Sequence, residues 1–185
     1  MTCFLLLFVP YREMYATAYD HIYRASMDGS NFTKVLGGLR YPHGIVLDRS
    51  SSRLYWTDGG RSVIESSNTD GSDVQTIVPL PDGSFPIGLV KWDGTLYWSN
   101  FLGGSLQSSM TSGGDIRYLY NWTNPLSHVM LLLESTEAIQ VEDNVGNPCD
   151  GHDCSHICAL RGNSFRCLCP RGMHLDEENM RTCLY

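Results

Sequence analysis

The sequence predicts an all-β protein: repeated antiparallel meanders, ended by a small disulfide-stapled module. Three observations predict it. Leu54-Tyr55-Trp56-Thr57-Asp58 recurs as Leu96-Tyr97-Trp98-Ser99-Asn100, an offset of 42 residues. β-branched and aromatic residues fall in short runs separated by turn residues, which leaves little room for helix. Six of the seven cysteines, Cys149, Cys154, Cys158, Cys167, Cys169 and Cys183, crowd the end of a chain of 185 residues.

The companions of the repeat keep step. Asp28-Gly29, Asp70-Gly71 and Ser112-Gly113 are also 42 apart, and Pro42-His43-Gly44-Ile45 returns as Pro86-Ile87-Gly88-Leu89. A period near ~40–45 residues is the size of one four-stranded propeller blade. Within a unit, Ser67-Asn68-Thr69-Asp70-Gly71-Ser72 separates Val63-Ile64 from residues 74–78, and its Asp-Gly centre suits a tight hairpin turn with positive φ. Gly44 and Gly88 precede apolar runs that suit the innermost strand, where crowded blades leave little volume for a side chain.

These residues resemble the YWTD repeat of the six-bladed propellers found in the low-density lipoprotein receptor-related family and in nidogen. The resemblance covers most of residues 4–133. It also places the N-terminus, because Leu7-Phe8-Val9-Pro10-Tyr11-Arg12-Glu13-Met14-Tyr15 aligns with residues 46–55 with one gap. Residues 3–9 could otherwise be read as the apolar core of a secretory signal cut near Ala16-Thr17-Ala18. That reading lacks a basic start and needs a long, partly charged spacer, so the run is expected to be an inner strand. Tyr15-Ala16-Thr17-Ala18 is then a degraded YWTD. In the last unit Pro125-Leu126-Ser127-His128 lacks the glycine, so an irregular strand or a helical turn is expected over residues 130–141. About three units cannot close a ring of six, so the fold expected is a partial propeller over residues 1–145, a truncated product of a longer parent, followed by a small module over 146–185.

Seven cysteines in this distribution indicate an oxidising compartment, because a short segment with few core residues needs covalent closure. Six cysteines alone allow 15 pairings. The spacing C-x4-C-x3-C-x8-C-x-C-x13-C resembles the EGF-like module that follows YWTD propellers, and that resemblance implies Cys149 with Cys158, Cys154 with Cys167, and Cys169 with Cys183. Gly172 and Phe165 match the module's turn and hairpin aromatic. The tail is therefore expected to fold independently, leaving Cys3 as an unpaired, buried strand thiol. The calcium-binding form of the module carries acidic residues before its first cysteine. Val145-Gly146-Asn147-Pro148 stands there instead, so neither calcium nor any other cofactor is expected. Zinc at Cys149, His152, Cys154, His156 and Cys158 is disfavoured because the cysteines have a better use as disulfides.

A net charge of −7, with 13 Lys and Arg and no basic run, gives no stripe for nucleic acid or anionic membrane. No stretch reaches the roughly 18 apolar residues of a spanning helix. Asp20, Asp48, Asp58 and Asp93 could suggest a propeller hydrolase, but turn capping and inter-blade hydrogen bonding account for them, and no catalytic constellation can be assigned. The six histidines are read as structural rather than as pH sensors. Asn31-Phe32-Thr33 and Asn121-Trp122-Thr123 are N-glycosylation acceptors in such a compartment.

The function implied by the resemblance is extracellular protein binding without catalysis, as part of an endocytic receptor or Wnt co-receptor; a nidogen-like, laminin-binding matrix protein is the alternative. The partner is expected to be a lipoprotein, Wnt-pathway or matrix protein. In a meander the loops entering the inner strands emerge beside those that follow each YWTD. Aromatic residues and arginine, the usual interface anchors, collect there. Arg40, Tyr41, His43, Arg61, Phe85 and Phe101 are therefore the candidate binding face.

Overall fold

The computed structural model describes residues 4–8 (backbone), 13–121, 149, 151–161 and 164–185. Cys3, His128, the end of the second sequon, residues 130–141 and the expected boundary at 145/146 lie outside them. Among the described residues all regular structure is strand.

Twelve strands form three four-stranded meanders. The first holds β1 Phe4–Phe8, β2 Glu13–Ala18, β3 His21–Ser26 and β4 Thr33–Gly37 in the order β1-β2-β3-β4. The second holds β5 Pro42–Asp48, β6 Arg53–Asp58, β7 Val63–Asn68 and β8 Gln75–Pro79. The third holds β9 Pro86–Trp92, β10 Thr95–Asn100, β11 Ser105–Met110 and β12 Arg117–Asn121. These are propeller blades, and the apolar run near the N-terminus is a strand.

The YWTD strand works by alternation. Successive side chains point to opposite faces, so Leu54 and Trp56 face one way while Tyr55 and Thr57 face the other. Tyr55, Ile64, Val78 and Leu80 of the second blade pack on Leu89, Leu96 and Trp98 of the third, and Ile64, Val78, Leu96 and Trp98 are fully buried. Each such side chain contributes roughly 1.5–3 kcal/mol by leaving water.

Between these blades the inner strands come too close for a side chain. A Cβ on Gly44 would lie 2.4 Å from the Ile87 carbonyl oxygen and 2.6 Å from the Leu89 nitrogen. The Thr57 hydroxyl locks the approach, accepting from the Gly44 N–H at 2.9 Å and donating to the Ile87 carbonyl at 3.0 Å. Thr17 of the degraded copy donates to the His43 carbonyl at 2.7 Å in the same manner.

The Asp-Gly turns differ from the tight two-residue form. Asn68 N–H donates to the Ser72 carbonyl and Gly71 N–H to the Asn68 carbonyl, and within residues 69–71 only the glycine, at φ +87°, is left-handed. The aspartate instead caps the loop, its carboxylate accepting from the Ser72 N–H at 2.9 Å. A three-residue loop closed by a left-handed glycine is the next commonest hairpin after the two-residue forms.

The cysteine-rich end has two short hairpins, β13 Ile157–Arg161 with β14 Ser164–Leu168, and β15 His174–Leu175 with β16 Cys183–Leu184. Disulfides join Cys149 to Cys158, Cys154 to Cys167 and Cys169 to Cys183. Gly172 takes φ +94°. Phe165 is covered by the Arg181 guanidinium, 5.4 Å from the ring centroid. By contacts the chain gathers into two units: Met1–Leu6, Tyr15–Tyr23 and Lys34–Glu134 form one, and Leu7–Met14, Arg24–Thr33 and Ser135–Tyr185 the other.

Candidate functional site

The loop that enters β5 is held from below. Asp58, the last residue of the tetrapeptide and fully buried, accepts from the Arg40 N–H at 2.8 Å. Gly59 and Gly60 N–H groups donate to the Tyr41 and Arg40 carbonyls at 3.0 and 2.7 Å, and Leu39 N–H donates to the Asp20 carbonyl at 3.0 Å.

So fixed, the loop borders a cleft of about 790 Å³ lined by Tyr19, Asp20, Leu39, Arg40, Tyr41, Pro42, His43 and Gly60. Its two tyrosine walls are unusual. Tyr19 and Tyr41 stand at φ +57° and +58°, and they are 69% and 67% exposed. A bulky residue rarely adopts that conformation, and a residue before proline is pushed towards extended backbone, so Tyr41 before Pro42 is disfavoured twice.

Three other candidates gather round Phe85. Its ring centroid lies 6.2 Å from Tyr41, 5.4 Å from His43 and 6.5 Å from Phe101. Arg61 is placed differently. Its guanidinium meets the buried Asp58 at 2.8 Å and the nearly buried Glu65 at 2.5 Å. Burial raises the Glu65 carboxyl above its usual range, and the Arg61 charge opposes that rise only in part. Arg61 is thus a counterion of the blade interior, whereas Arg40 sits on the cleft itself. Sequence reasoning missed Tyr19 and read Asp20 as a turn-capping residue, with no part in the cleft. They follow the degraded tetrapeptide, where Gly59 and Gly60 follow the intact one, and that alignment was the available signal.

The acidic residues do not converge. Asp48 accepts from the Ser50 and Ser51 hydroxyls and pairs with Lys91 at 3.3 Å. Burial favours its neutral form, but those hydroxyls and the Lys91 ammonium outweigh burial and hold it at about 2. Asp20 contacts His21, and Asp93 occupies a left-handed turn position before Gly94. Among the described residues His152, Cys154 and Cys158 lie close enough to share a metal, yet both cysteine sulfurs are committed to disulfides. Asn31 and Asn121 are both exposed. No helix among the described residues is long and apolar enough to cross a membrane.

Residues 52–80 match the family described as low-density lipoprotein receptor repeat class B. The vitellogenin receptor Yl of Drosophila melanogaster is 30% identical over 87% of this chain, and low-density lipoprotein receptor-related protein 5 of Homo sapiens is 32% identical over 88%. The chain spans only 8% and 10% of those two relatives. Among solved structures, the nidogen/laminin complex aligns with 63% of this chain and 46% of its own at a TM-score of 0.57 and 27% identity. A gluconolactonase from Xanthomonas campestris aligns at 0.52 with 19% identity, a likeness of fold alone.

Proposed function

We propose that this chain, which carries the class B repeat of the low-density lipoprotein receptor, is a non-catalytic, extracellular protein-binding part of a receptor-related protein of the endocytic or Wnt co-receptor type. Residues 1–145 form the propeller part and 146–185 the EGF-like module, with Asn31 and Asn121 as glycan acceptors. The reading rests on one observation: two exposed tyrosines, both held in a left-handed conformation, wall a cleft whose loop is clamped by a buried aspartate. Backbone strain of this kind persists where the surroundings over-determine it, and it clusters at binding sites. Aromatic walls are the common anchors of protein interfaces. The second reading, a nidogen-like matrix protein, is favoured by the likeness to the nidogen chain of a laminin complex.

Peptides selected from a random display library on the secreted, glycosylated chain test the site. Those peptides should lose affinity about tenfold or more with Tyr41→Ala or Tyr19→Ala and keep it with Asp70→Ala in the β7–β8 turn, which the alternation of meander connections places at the other end of the blade. Selected peptides indifferent to both tyrosines would overturn the assignment. Immobilised laminin fragments and vitellogenin then separate the two readings, since retention by laminin alone favours the matrix protein.

A further inference from the structure

The outer strands of the second and third blades keep the 42-residue offset, so each residue of β12 has a counterpart in β8. Their registers agree. Thr76 stands opposite Glu65 and Tyr118 opposite Gln107, while Pro79 stands opposite Val63 and Asn121 opposite Ser105. In both ladders one residue, Ile77 or Leu119, is left over as a bulge.

The bulge decides which side chains are neighbours. Residues directly opposite one another share a face of the sheet, and so do residues two apart on a regular strand. Ser105 and Gln107 are two apart on β11, so Asn121 and Tyr118 share a face, about 7 Å apart along the strand. Without the extra residue they would point to opposite faces. Asn121 is exposed, and Tyr118 is 57% exposed.

An outermost strand offers its unpaired backbone groups to any other strand, and proteins protect such edges with proline or with charge. β8 carries Pro79, with the polar Thr76 on the same face. Arg117-Tyr118-Leu119-Tyr120-Asn121 has no proline, one charge and two exposed tyrosines. Among the described residues it pairs with β11 alone. Where β8 has its proline, however, β12 has the asparagine of Asn121-Trp122-Thr123. Two departures from the sister strand, threonine to tyrosine and proline to glycan acceptor, therefore fall side by side on one face.

We propose that the glycan on Asn121 lies across the outer edge of the third blade, with its first N-acetylglucosamine stacked on the Tyr118 ring, and protects that edge as Pro79 protects its neighbour. This rests on the reading of Asn121 as an acceptor. The Asn121 amide nitrogen gives up one proton and bonds to the sugar's anomeric carbon, while the lipid diphosphate of the donor leaves. The pyranose C–H groups then present weakly positive hydrogens to the negative face of the phenol ring. Asn31 lacks this arrangement. Three residues before it stands Asp28, whose carboxylate is turned onto Ser30 in its own loop.

The full chain, secreted from cells that add N-glycans, tests this by peptide mapping and hydrogen exchange. Trimming the glycan to one sugar should leave β12 protection intact, because that sugar makes the contact. Removing the glycan through Thr123→Ala should speed exchange of the β12 amides about threefold or more and leave those of β8 unchanged. Tyr118→Thr, which restores the sister residue, should do the same with the glycan still attached, and the two changes together should add little. Ring-current upfield shifts of the first sugar's protons should be present at Asn121, vanish in Tyr118→Thr and be absent at Asn31. Asn121 found without a glycan would overturn the acceptor reading and the proposal with it. A glycosylated Asn121 whose sugar protons and β12 protection ignore Tyr118→Thr would overturn the stacking alone.

Discussion

Replacing Thr57 by valine removes one hydroxyl while keeping the side chain's shape. That hydroxyl is fully buried and bridges two blades, accepting from Gly44 at 2.9 Å and donating to Ile87 at 3.0 Å. Valine leaves the Gly44 N–H without its acceptor and deprives the Ile87 carbonyl of a donor. Each orphaned buried group costs about 1–3 kcal/mol, so the change should destabilise by about 2–6 kcal/mol in total. Serine, which the third blade already uses at Ser99, keeps the hydroxyl and loses one methyl, at about 1 kcal/mol. The assay is urea unfolding followed by fluorescence of the buried Trp56 and Trp98. At a slope of about 2 kcal/mol per molar, Thr57→Val should lower the midpoint by about 1–3 M. If Thr57→Val is no worse than Thr57→Ser, the hydroxyl bridge does not hold the blades together and the reasoning fails.

Gly44→Ala should cost up to about 3 kcal/mol because the new methyl meets backbone of β9 that cannot rotate away; Gly83→Ala, left-handed but in open space, should cost only about 1 kcal/mol in the same urea series. Asp48 is held below its unfolded value, so its contribution is full above about pH 4 and is lost as pH falls towards 2. After allowance for solvent screening that amounts to about 1 kcal/mol, and Asp48→Asn should flatten the acid limb of the stability curve between those limits. A limb of unchanged slope would refute it.

The blades were legible because their signal is local and repeated. Alternation along Leu54-Tyr55-Trp56-Thr57 sets which side chains face which neighbour, and a 42-residue period carries that pattern forward. The hydroxyl bridge was not legible. It joins Thr57 to Ile87, thirty positions away, and depends on a spacing between inner strands that Gly44 only hints at. Arg61 was assigned to the binding face by residue type and loop position. The ion pairs it makes depend on the burial of Glu65, which stands opposite Trp56 in the β6–β7 register, and a surface-like Glu-Ser-Ser-Asn run gives no warning of that burial. The disulfide pairing came from family spacing, and the sulfur positions agree with it.

The cleft itself follows from a single departure in the degraded copy. Where the intact tetrapeptide is followed by Gly59, the next blade's pre-proline aromatic, Phe85, folds inward until its ring would touch a Cβ there at 3.0 Å. The degraded tetrapeptide is followed by Tyr19, and the corresponding pre-proline aromatic is Tyr41. The degraded copy thus carries a side chain at the position where the intact copy has glycine. Tyr41 does not lie as Phe85 does: it is 67% exposed, at φ +58°, with the cleft beside it, and the side chain of Tyr19 is the cause expected. Tyr19→Gly should reverse this by letting Tyr41 fold down over the vacated position. The release of two strained tyrosines, each worth about 1–3 kcal/mol, should offset the lost packing of Tyr19 and keep stability within about 1 kcal/mol of the parent. Nitration by tetranitromethane, read residue by residue with mass spectrometry, should show Tyr41 modified several-fold more slowly in Tyr19→Gly while the exposed Tyr118 and Tyr120 react as before. Tyr41 nitrated at the parental rate would mean that its outward pose is set by Pro42 and the Asp58 clamp alone, and Tyr19 would then have no part in forming the cleft.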